Sequence, residues 1–322
     1  MISAIAQELR EHSRFLLATH VNPDGDAIGS LGALALVLEG MGKTVLAYCQ
    51  DQVPGFLEFM PFADRIVHEI PTGENFDAAV VLDCGEVNRL GKGAEAVLLA
   101  GKIIHIDHHS SGNGFGDLNL IRPECSSTAE LLYEIFGALA VELSKPVAVN
   151  IYTAILTDTG SFRFANTTAR ALSIAAEMVS LGVEPEEVAS AVYDSMTPGR
   201  LRLLATSLQT LTLRADGRVA AIWVSREMLA DTGTTAQDTE GLVNYPRSLR
   251  TVEIAVLFKE LTTGEINVSL RSRGKCNVAD FAQMYAGGGH ENAAAFRLKG
   301  TLEQVVDEVL QAAEEYLQGK LP

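Results

Sequence analysis

The chain has 322 residues, of which 47% are hydrophobic and 20% are charged, and its formal net charge is −16. This composition excludes a disordered chain, a coiled coil and a collagen-like rod. The acidic balance excludes a protein that holds long nucleic acid mainly by bulk positive charge. At roughly 150 residues per domain, the length predicts two domains.

The cysteines stand apart from one another along the chain, which is typical of a protein from a reducing compartment. No apolar run approaches the about 18 residues that would span a membrane. The N-terminal segment also lacks the apolar core of a signal peptide. We therefore expect a soluble cytoplasmic protein that has no membrane partner.

Short apolar runs and helical patterns alternate through the first half of the chain. Strands are expected at 15–19, 44–48, 78–82 and 102–106, and helices at 27–39, 128–139, 146–156 and 169–181. This alternation predicts an α/β domain over residues 1–190 whose parallel sheet has helices on both faces.

The pattern changes at a group of helix breakers around Pro198. We predict a helical linker over 191–205 and a smaller α/β domain over 206–322 with a mixed or antiparallel sheet. After residue 211 the pattern favours antiparallel hairpins, with turns at Asp216-Gly217 and at 262–265. In the run 265–273, polar residues alternate with apolar ones, so that Arg271 and Arg273 share one face.

Acidic and imidazole side chains gather at four predicted ends of strands or helices, and in an open α/β sheet ligands bind at the carboxyl ends of the strands. The groups are His20 with Asp24 and Asp26; Asp83; Asp107 with His108 and His109; and Asp158. Each has an ordinary alternative, such as Asp26 acting as the N-cap of the helix that follows it. For Asp158 a stabilising role is disfavoured, because a carboxylate at a helix C-terminus opposes the helix dipole.

His108 and His109 follow a predicted strand directly. Consecutive residues of an extended chain point to opposite sides. We therefore expect one imidazole to bind metal and the other to face substrate, with Asp107 orienting one of them.

If the carboxylates converge, each close pair repels by about 4 kcal/mol at an effective dielectric constant near 20. Two divalent cations would balance four such groups, namely Asp24, Asp26, Asp83 and Asp158. Hard oxygen ligands with imidazoles suit manganese or magnesium. Two ions roughly 3.5–4 Å apart can share a hydroxide and clamp a phosphorus centre for in-line attack.

Four segments resemble, in order, the signature motifs of the DHH phosphoesterases: HVNPDGDAIGS, VVLDCG, HIDHHSS and LTDTGSFRF. The tail segments SLRSRG and YAGGGHENAAAF resemble the small substrate-binding domain that accompanies them. Within this superfamily the chain is most similar to the stand-alone bacterial oligoribonuclease/3′-phosphoadenosine-5′-phosphate phosphatases, which are related to the RecJ exonuclease.

The resemblance implies two divalent ions, manganese by preference. His20 and Asp24 would bind one ion, and the other would be bound by Asp26, His108 and Asp158. Asp83 would bridge the two ions. The resemblance also gives His109 a place facing the scissile phosphate, with Asp107 supporting it. Substrate-binding roles fall on Arg163, Arg271, Arg273, Gly288, Gly289 and His290.

The tail residues support a substrate site in their own right. Residues 245–275 include six basic and three acidic side chains in an otherwise acidic chain. Arg271 and Arg273 can each donate two hydrogen bonds to a phosphate. The glycines before His290 allow backbone amides to approach and bind an anion. The alternative for the basic residues is that they form a solvated strand face, and the alternative for the glycines is that they form a tight turn. Ala286 and Ala295 stand where the family often has glycine, and these departures concern the substrate pocket.

The resemblance implies a manganese-dependent phosphohydrolase that degrades short oligoribonucleotides to mononucleotides, dephosphorylates 3′-phosphoadenosine 5′-phosphate, or does both. Short single-stranded RNA and small nucleotides are the expected partners, because a long strand would need an extended basic groove. A cyclic or linear dinucleotide phosphodiesterase and a non-catalytic nucleotide-binding regulator are the alternatives. The oligomeric state stays open.

Overall fold

The computed structural model describes residues 1–109, 114–194, 196–273 and 276–319, with all of their side chains except those of Thr262 and His290. The chain separates into two compact units, Met1–Ser195 and Met196–Pro322. None of the described helices is long and apolar enough to cross a membrane.

The first unit is built on a five-stranded sheet in which every pair is parallel. Its strands are β1 (Arg14–Ala18), β2 (Thr44–Tyr48), β3 (Ala78–Leu82), β4 (Ile103–Asp107) and β5 (Leu118–Ile121), in the order β2-β1-β3-β4-β5. Its helices are α1 (Ile2–Glu11), α2 (Gly25–Gly40), α3 (Ala94–Leu98), α4 (Thr128–Leu139), α5 (Lys145–Asp158), α6 (Ala169–Ser180) and α7 (Pro185–Tyr193). The predicted parallel sheet is confirmed.

Both faces of this sheet are buried. Phe15 and Leu17 of β1 join a large cluster with α2, α4 and α5 on one face. Leu16 and Ala18 point the other way and pack against a smaller cluster that includes Val97 of α3. Strands that are buried on both faces appear in the sequence as continuous apolar runs, and all five residues of β3 are buried.

The second unit has a mixed six-stranded sheet in the order β10-β11-β9-β8-β7-β6. Its strands are β6 (Thr212–Arg214), β7 (Val219–Val224), β8 (Ile254–Thr262), β9 (Glu265–Ser272), β10 (Gly288–His290) and β11 (Ala293–Lys299). Its helices are α8 (Pro198–Gln209), α9 (Arg226–Thr232), α10 (Asn244–Arg247), α11 (Val278–Gln283) and α12 (Leu302–Leu317).

The two predicted hairpins are confirmed, because β6 pairs antiparallel with β7, and β8 with β9. The second sheet is mixed, which was one of the two predicted alternatives, since β7 and β8 pair in parallel and the other neighbouring strands pair antiparallel. A parallel pair needs a crossover connection, and here that connection carries α9 and α10. These helices have seven and four residues, too few to show a clear helical period in the sequence.

Candidate active site

Asp83 lies at the centre of the carboxyl edge of the first sheet. It follows β3 directly, its side chain is buried, and its backbone has a φ of 54°. This left-handed conformation is uncommon for residues other than glycine, although aspartate and asparagine tolerate it better than most. Thr128 at the start of α4 donates a hydrogen bond from Oγ1 to Asp83 Oδ1 over 3.2 Å.

His20 and Asp24 approach Asp83 from the segment between β1 and α2. The Nε2 atom of His20 is 3.4 Å from Asp83 Oδ2. Ligand atoms of His20, Asp24 and Asp83 all lie within 4.8 Å of one another. Arg89 Nη2 lies 3.0 Å from His20 Nδ1. Sequence analysis missed Arg89, and no pattern around it distinguishes it from a surface arginine.

Asp24 also begins helix α2. Its Oδ1 atom accepts hydrogen bonds from the backbone N–H groups of Asp26 and Ala27, each over 3.1 Å. The N-cap of this helix is therefore Asp24, and the alternative in which Asp26 caps the helix is wrong. A carboxylate has two oxygens, so this capping leaves Oδ2 of Asp24 for a second role.

Asp26 is buried and bound by the N-terminus of α4. Its Oδ2 atom accepts from the backbone N–H of Thr128 over 2.6 Å, and Oδ1 accepts from the N–H of Ala129 and the hydroxyl of Ser30. Burial, followed by the nearby charge of Asp83, raises the pKa of Asp26 to about 7. The hydrogen bond from Thr128 at the helix N-terminus favours the charged carboxylate and so acts against these two effects, but it does not outweigh them.

His108 and His109 both turn toward Asp83. His108 Nε2 and His109 Nδ1 lie 3.5 Å and 3.4 Å from the same Asp83 oxygen, Oδ1. The expectation that the two rings point to opposite sides is therefore wrong, because β4 ends at Asp107 and the alternation of a regular strand does not apply to the two residues that follow it. Ligand atoms of Asp83, His108 and His109 form a second group within 4.8 Å.

Asp107 orients His109. Asp107 Oδ1 lies 2.6 Å from His109 Nδ1 and also accepts the backbone N–H of His109 over 3.1 Å. Burial alone would lower the pKa of His109, but the hydrogen bond with Asp107 and the charge of Asp83 outweigh burial and raise it. The pair thus favours a protonated imidazole at this edge of the sheet.

Asp158 is the last residue of α5, as the sequence predicted, and its Oδ2 atom lies 3.6 Å from His108 Nε2. Burial raises the pKa of Asp158, and the charges of the other aspartates add to this effect. Asn166 donates from Nδ2 to Asp158 Oδ2 and to the backbone oxygens of Asp158 and Ser126, over 3.0–3.2 Å. Sequence analysis missed Asn166, although it follows the fourth motif closely.

At this site the pKa of Asp83 is lowered and the pKa of His108 is raised. Burial alone would raise the pKa of Asp83, but the hydrogen bond with His20 and the charges of His109 and His108 lower it. Burial alone would lower the pKa of His108, but the charges of Asp158, Asp83 and Asp26 raise it to about 9. Without a cation, the carboxylates therefore draw protons onto the neighbouring imidazoles.

The donor set fits divalent cations. Both three-residue groups contain Asp83, so a single carboxylate can serve two neighbouring ions. Asp26 and Asp158 lie outside these groups, but each has an oxygen within 3.7 Å of His108 Nε2. Carboxylate oxygens with a few imidazoles suit manganese or magnesium better than a thiolate-type zinc site.

Arg163 lies in the segment that follows α5. Its side chain is exposed, and its Nε atom donates to the backbone oxygen of Gly160 over 2.6 Å. The two residues before it, Ser161 and Phe162, have φ values of 62° and 59°. The segment therefore makes a tight left-handed bend that presents Arg163 to solvent.

In the second unit, the predicted substrate residues fall on β9 and β10 or just beyond them. Arg271 lies in β9 between Ala255 of β8 and Ala293 of β11. Arg273 is exposed and lies one residue beyond the end of β9, where its backbone N–H donates to the backbone oxygen of Glu253 over 3.0 Å. The side chain of His290 lies outside the described part of the structure.

Gly289 is required by the packing of β10 against β11. Its φ is 147°, and an added Cβ atom would lie 2.3 Å from the backbone oxygen of Ala293. At Gly288 an added Cβ would meet nothing within 4 Å. Packing therefore explains why residue 289 is glycine, but it does not explain why residue 288 is glycine.

Ala286 has a φ of 55° just after α11, a position at which glycine is preferred. The departure from the family pattern therefore leaves the loop in a left-handed conformation with an added Cβ atom. Such a conformation costs an L-residue roughly 1–2 kcal/mol.

Two family models match the chain. The model for the DHH family, N-terminal domain, matches residues 14–156, and the model for the DHHA1 domain matches residues 216–319. The bifunctional oligoribonuclease and PAP phosphatase NrnA of Thermus thermophilus is 35% identical, over 94% of this chain and 89% of its own length. The protein of the same name from Bacillus subtilis is 26% identical, over 91% and 92%.

One solved structure resembles the chain over nearly its full length. It is described as an exopolyphosphatase-related protein from Bacteroides fragilis. The two chains are 29% identical and superpose with a TM-score of 0.92, covering 98% of this chain and 97% of the other.

Proposed function

The chain belongs to the DHH family, and from this premise we propose that it is a manganese-dependent phosphohydrolase that degrades short oligoribonucleotides to mononucleotides and dephosphorylates 3′-phosphoadenosine 5′-phosphate. The names of its Thermus and Bacillus relatives support this choice of substrates. The observation that carries the proposal is the pair of ligand groups that share Asp83.

In this proposal, His20, Asp24 and Asp83 hold one divalent cation. Asp26, His108 and Asp158 hold the second together with Asp83. When bound, the cations supply positive charge that polarises a phosphoester and acidifies a water molecule. The fit rests on the donor atoms, since carboxylate oxygens suit manganese and imidazole nitrogens commonly bind metal ions.

The protein's own groups contribute a proton donor. His109 Nδ1 is engaged by Asp107, which makes Nε2 the nitrogen that would donate to a phosphate oxygen. The raised pKa of His109 favours the protonated ring that this role needs. As negative charge builds on the phosphate oxygens in the transition state, a fixed imidazolium there stabilises it without reorganisation.

The charge of the whole chain favours small substrates. A net charge of −16 opposes binding of a long nucleic acid, whose many phosphates would need an extended basic groove. A short nucleotide needs only local compensation, which Arg163, Arg271 and Arg273 would supply. We also place the enzyme in the cytoplasm, because its four cysteines are buried free thiols.

One product-resolved assay tests the proposal. The purified protein is stripped of metal, restored with manganese, and given RNAs of two to five nucleotides, 3′-phosphoadenosine 5′-phosphate, a cyclic dinucleotide and pyrophosphate. Mononucleotides from the RNAs and inorganic phosphate from 3′-phosphoadenosine 5′-phosphate are the expected products. Tight binding of these nucleotides without any turnover would contradict the proposal and favour a nucleotide-binding regulator.

A further inference from the structure

One face of the second sheet is covered by helices over only part of its width. Over β7 and β8, residues such as Ile222 and Leu257 are buried in a cluster with Leu203 of α8. Over β9 and β11 the same face carries Asn267, Ser269, Ala295 and Arg297, which are partly or fully exposed. The border between the covered and open parts runs along β8.

Lys259 lies on this border. In the strand register it stands beside the buried Val224 of β7 on one side and Asn267 of β9 on the other. Asn267 is in turn opposite Arg297 of β11. Lys259, Asn267 and Arg297 therefore form a row across three strands, which we call the distal row. Arg271 lies four residues farther along β9, about 14 Å away at roughly 3.4 Å per residue.

The positive charges of this row have no buried acidic partner among the described residues. Within the described ranges, Lys259 Nζ makes no hydrogen bond or ion pair. Burial lowers the pKa of Lys259; the charge of Glu240 acts against burial, and the charges of Arg271 and Arg297 act with it. Arg297 lies 3.7 Å from Glu265 in an exposed pair, the kind that contributes little.

We propose that the distal row is a phosphate subsite that binds a phosphodiester of short RNA beyond the nucleotide held near Arg271. This inference rests on the proposed function and adds a length preference to it. Lys259 and Arg297 supply charge, and the Asn267 amide supplies a hydrogen-bond donor between them. A bound phosphate would offset the repulsion among the cations, so the subsite is used only by substrates long enough to reach it.

The test compares RNAs of two, three and five nucleotides. We measure kcat/KM for the wild type, Lys259→Gln and Arg297→Gln. The control is Arg202→Gln, which removes the same charge from an exposed residue of α8 outside the row. We expect both row variants to lower the ratio of kcat/KM for the longer RNAs to that for the dinucleotide by about tenfold, the loss of one charge-assisted hydrogen bond. Arg202→Gln should leave this ratio unchanged.

Salt dependence gives a second readout. Loss of one phosphate contact should reduce the slope of log affinity against log salt by about 0.7 for the longer RNAs. Affinity is measured by fluorescence anisotropy on metal-free protein, so this readout does not depend on turnover. An unchanged length ratio in Arg297→Gln, or an equal loss for RNAs of every length, would overturn the inference.

The two proposals fail in different ways. If the wild type hydrolyses none of the RNAs, the proposed function is wrong, whereas the anisotropy series still decides whether longer RNAs use the distal row. If Lys259→Gln does not fold, Arg297→Gln carries the test, because the Arg297 side chain is 69% exposed and supports no buried contact that folding needs.

Discussion

The ligand residues around Asp83 in the first unit, which we call the metal centre, and the distal row of the second unit both bring charged groups together. They do so in opposite ways. At the metal centre the signs alternate, since Asp83 lies within 3.5 Å of nitrogens from three imidazoles. Backbone N–H groups of α4 also bind Asp26 there. In the distal row, Lys259 and Arg297 have the same sign, and the acidic groups that act on them are Glu240 and the exposed Glu265.

This difference shows how each region depends on its ligand. The metal centre is held by its own hydrogen bonds and would receive cations into a preformed set of oxygens and nitrogens. The distal row would gain its missing negative charge from the substrate. Removing one group should therefore abolish function at the first region and only weaken it at the second.

Asp83→Asn should have the largest effect. Because both ligand groups include Asp83, the variant should lower turnover by about a thousandfold and reduce bound metal. Asparagine tolerates the left-handed backbone of this position, so the fold should persist. Turnover at saturating manganese and metal content by emission spectroscopy check this. Asp231→Asn, on an exposed residue of α9, is the control, and a variant Asp83→Asn that kept a tenth of wild-type turnover would refute the shared role.

Metal affinity should depend on pH in a defined direction. His108 must lose its proton to bind metal, and its pKa in the metal-free protein is raised to about 9. Asp26 and Asp158, whose pKa values are also raised, must lose protons to bind the same ion. Affinity should therefore rise at least about tenfold per pH unit up to about pH 9 and then level off. Manganese titration in a pH series measures this.

The distal row should respond to pH in the opposite direction. As the pH rises, Lys259 loses its proton before an ordinary lysine would, so affinity for RNA should fall while affinity for metal rises. Anisotropy on metal-free protein in the same pH series measures RNA affinity. Affinities for metal and RNA that change in parallel would argue against the contrast between the two regions.

Asn166→Ala should weaken metal binding by about tenfold to a hundredfold, the range found for residues that orient a metal ligand. The variant removes the amide that holds Asp158. Because the ligand itself remains, excess manganese should restore turnover close to that of the wild type. If turnover stayed low at saturating metal, Asn166 would act on the chemistry and would not be a positioning residue.

Ala286→Gly should have the smallest effect and should stabilise the second unit. Glycine adopts the left-handed conformation of residue 286 without strain, so the free energy of unfolding should rise by about 1 kcal/mol. Ala295→Gly is a matched control of opposite sign, because residue 295 lies inside β11, where glycine is unfavourable. Urea denaturation measures the free energy of unfolding of both variants. If both variants changed this free energy in the same direction, the prediction would be contradicted.

The sequence predicted the parallel sheet and the clustering of its acidic residues for a common reason. Buried parallel strands appear as short apolar runs, and their carboxyl ends meet at one edge, so residues such as Asp83 and Asp107 must come close. What the sequence did not predict depends on contacts between distant segments. Asn166 and Arg89 each reach a site residue through folding, and neither lies in a pattern that marks it.

Local geometry explains the remaining differences. The two adjacent imidazoles turn to one side because β4 ends before them, and strand ends are difficult to place from sequence alone. The prediction of a mixed or antiparallel second sheet did not say which strands pair in parallel, because the connection between β7 and β8 carries two helices too short to be recognised. In both cases the residue types were identified correctly, and what was missing was where regular structure begins or ends.

The left-handed backbone of Asp83 limits how the family can diverge. Of the few residues that adopt this conformation readily, only aspartate brings a negative charge. Replacement by asparagine or glycine would keep the turn after β3 and lose the shared ligand in a single step. A descendant that had exchanged catalysis for nucleotide sensing would therefore be recognised by this one position, with the rest of the fold intact.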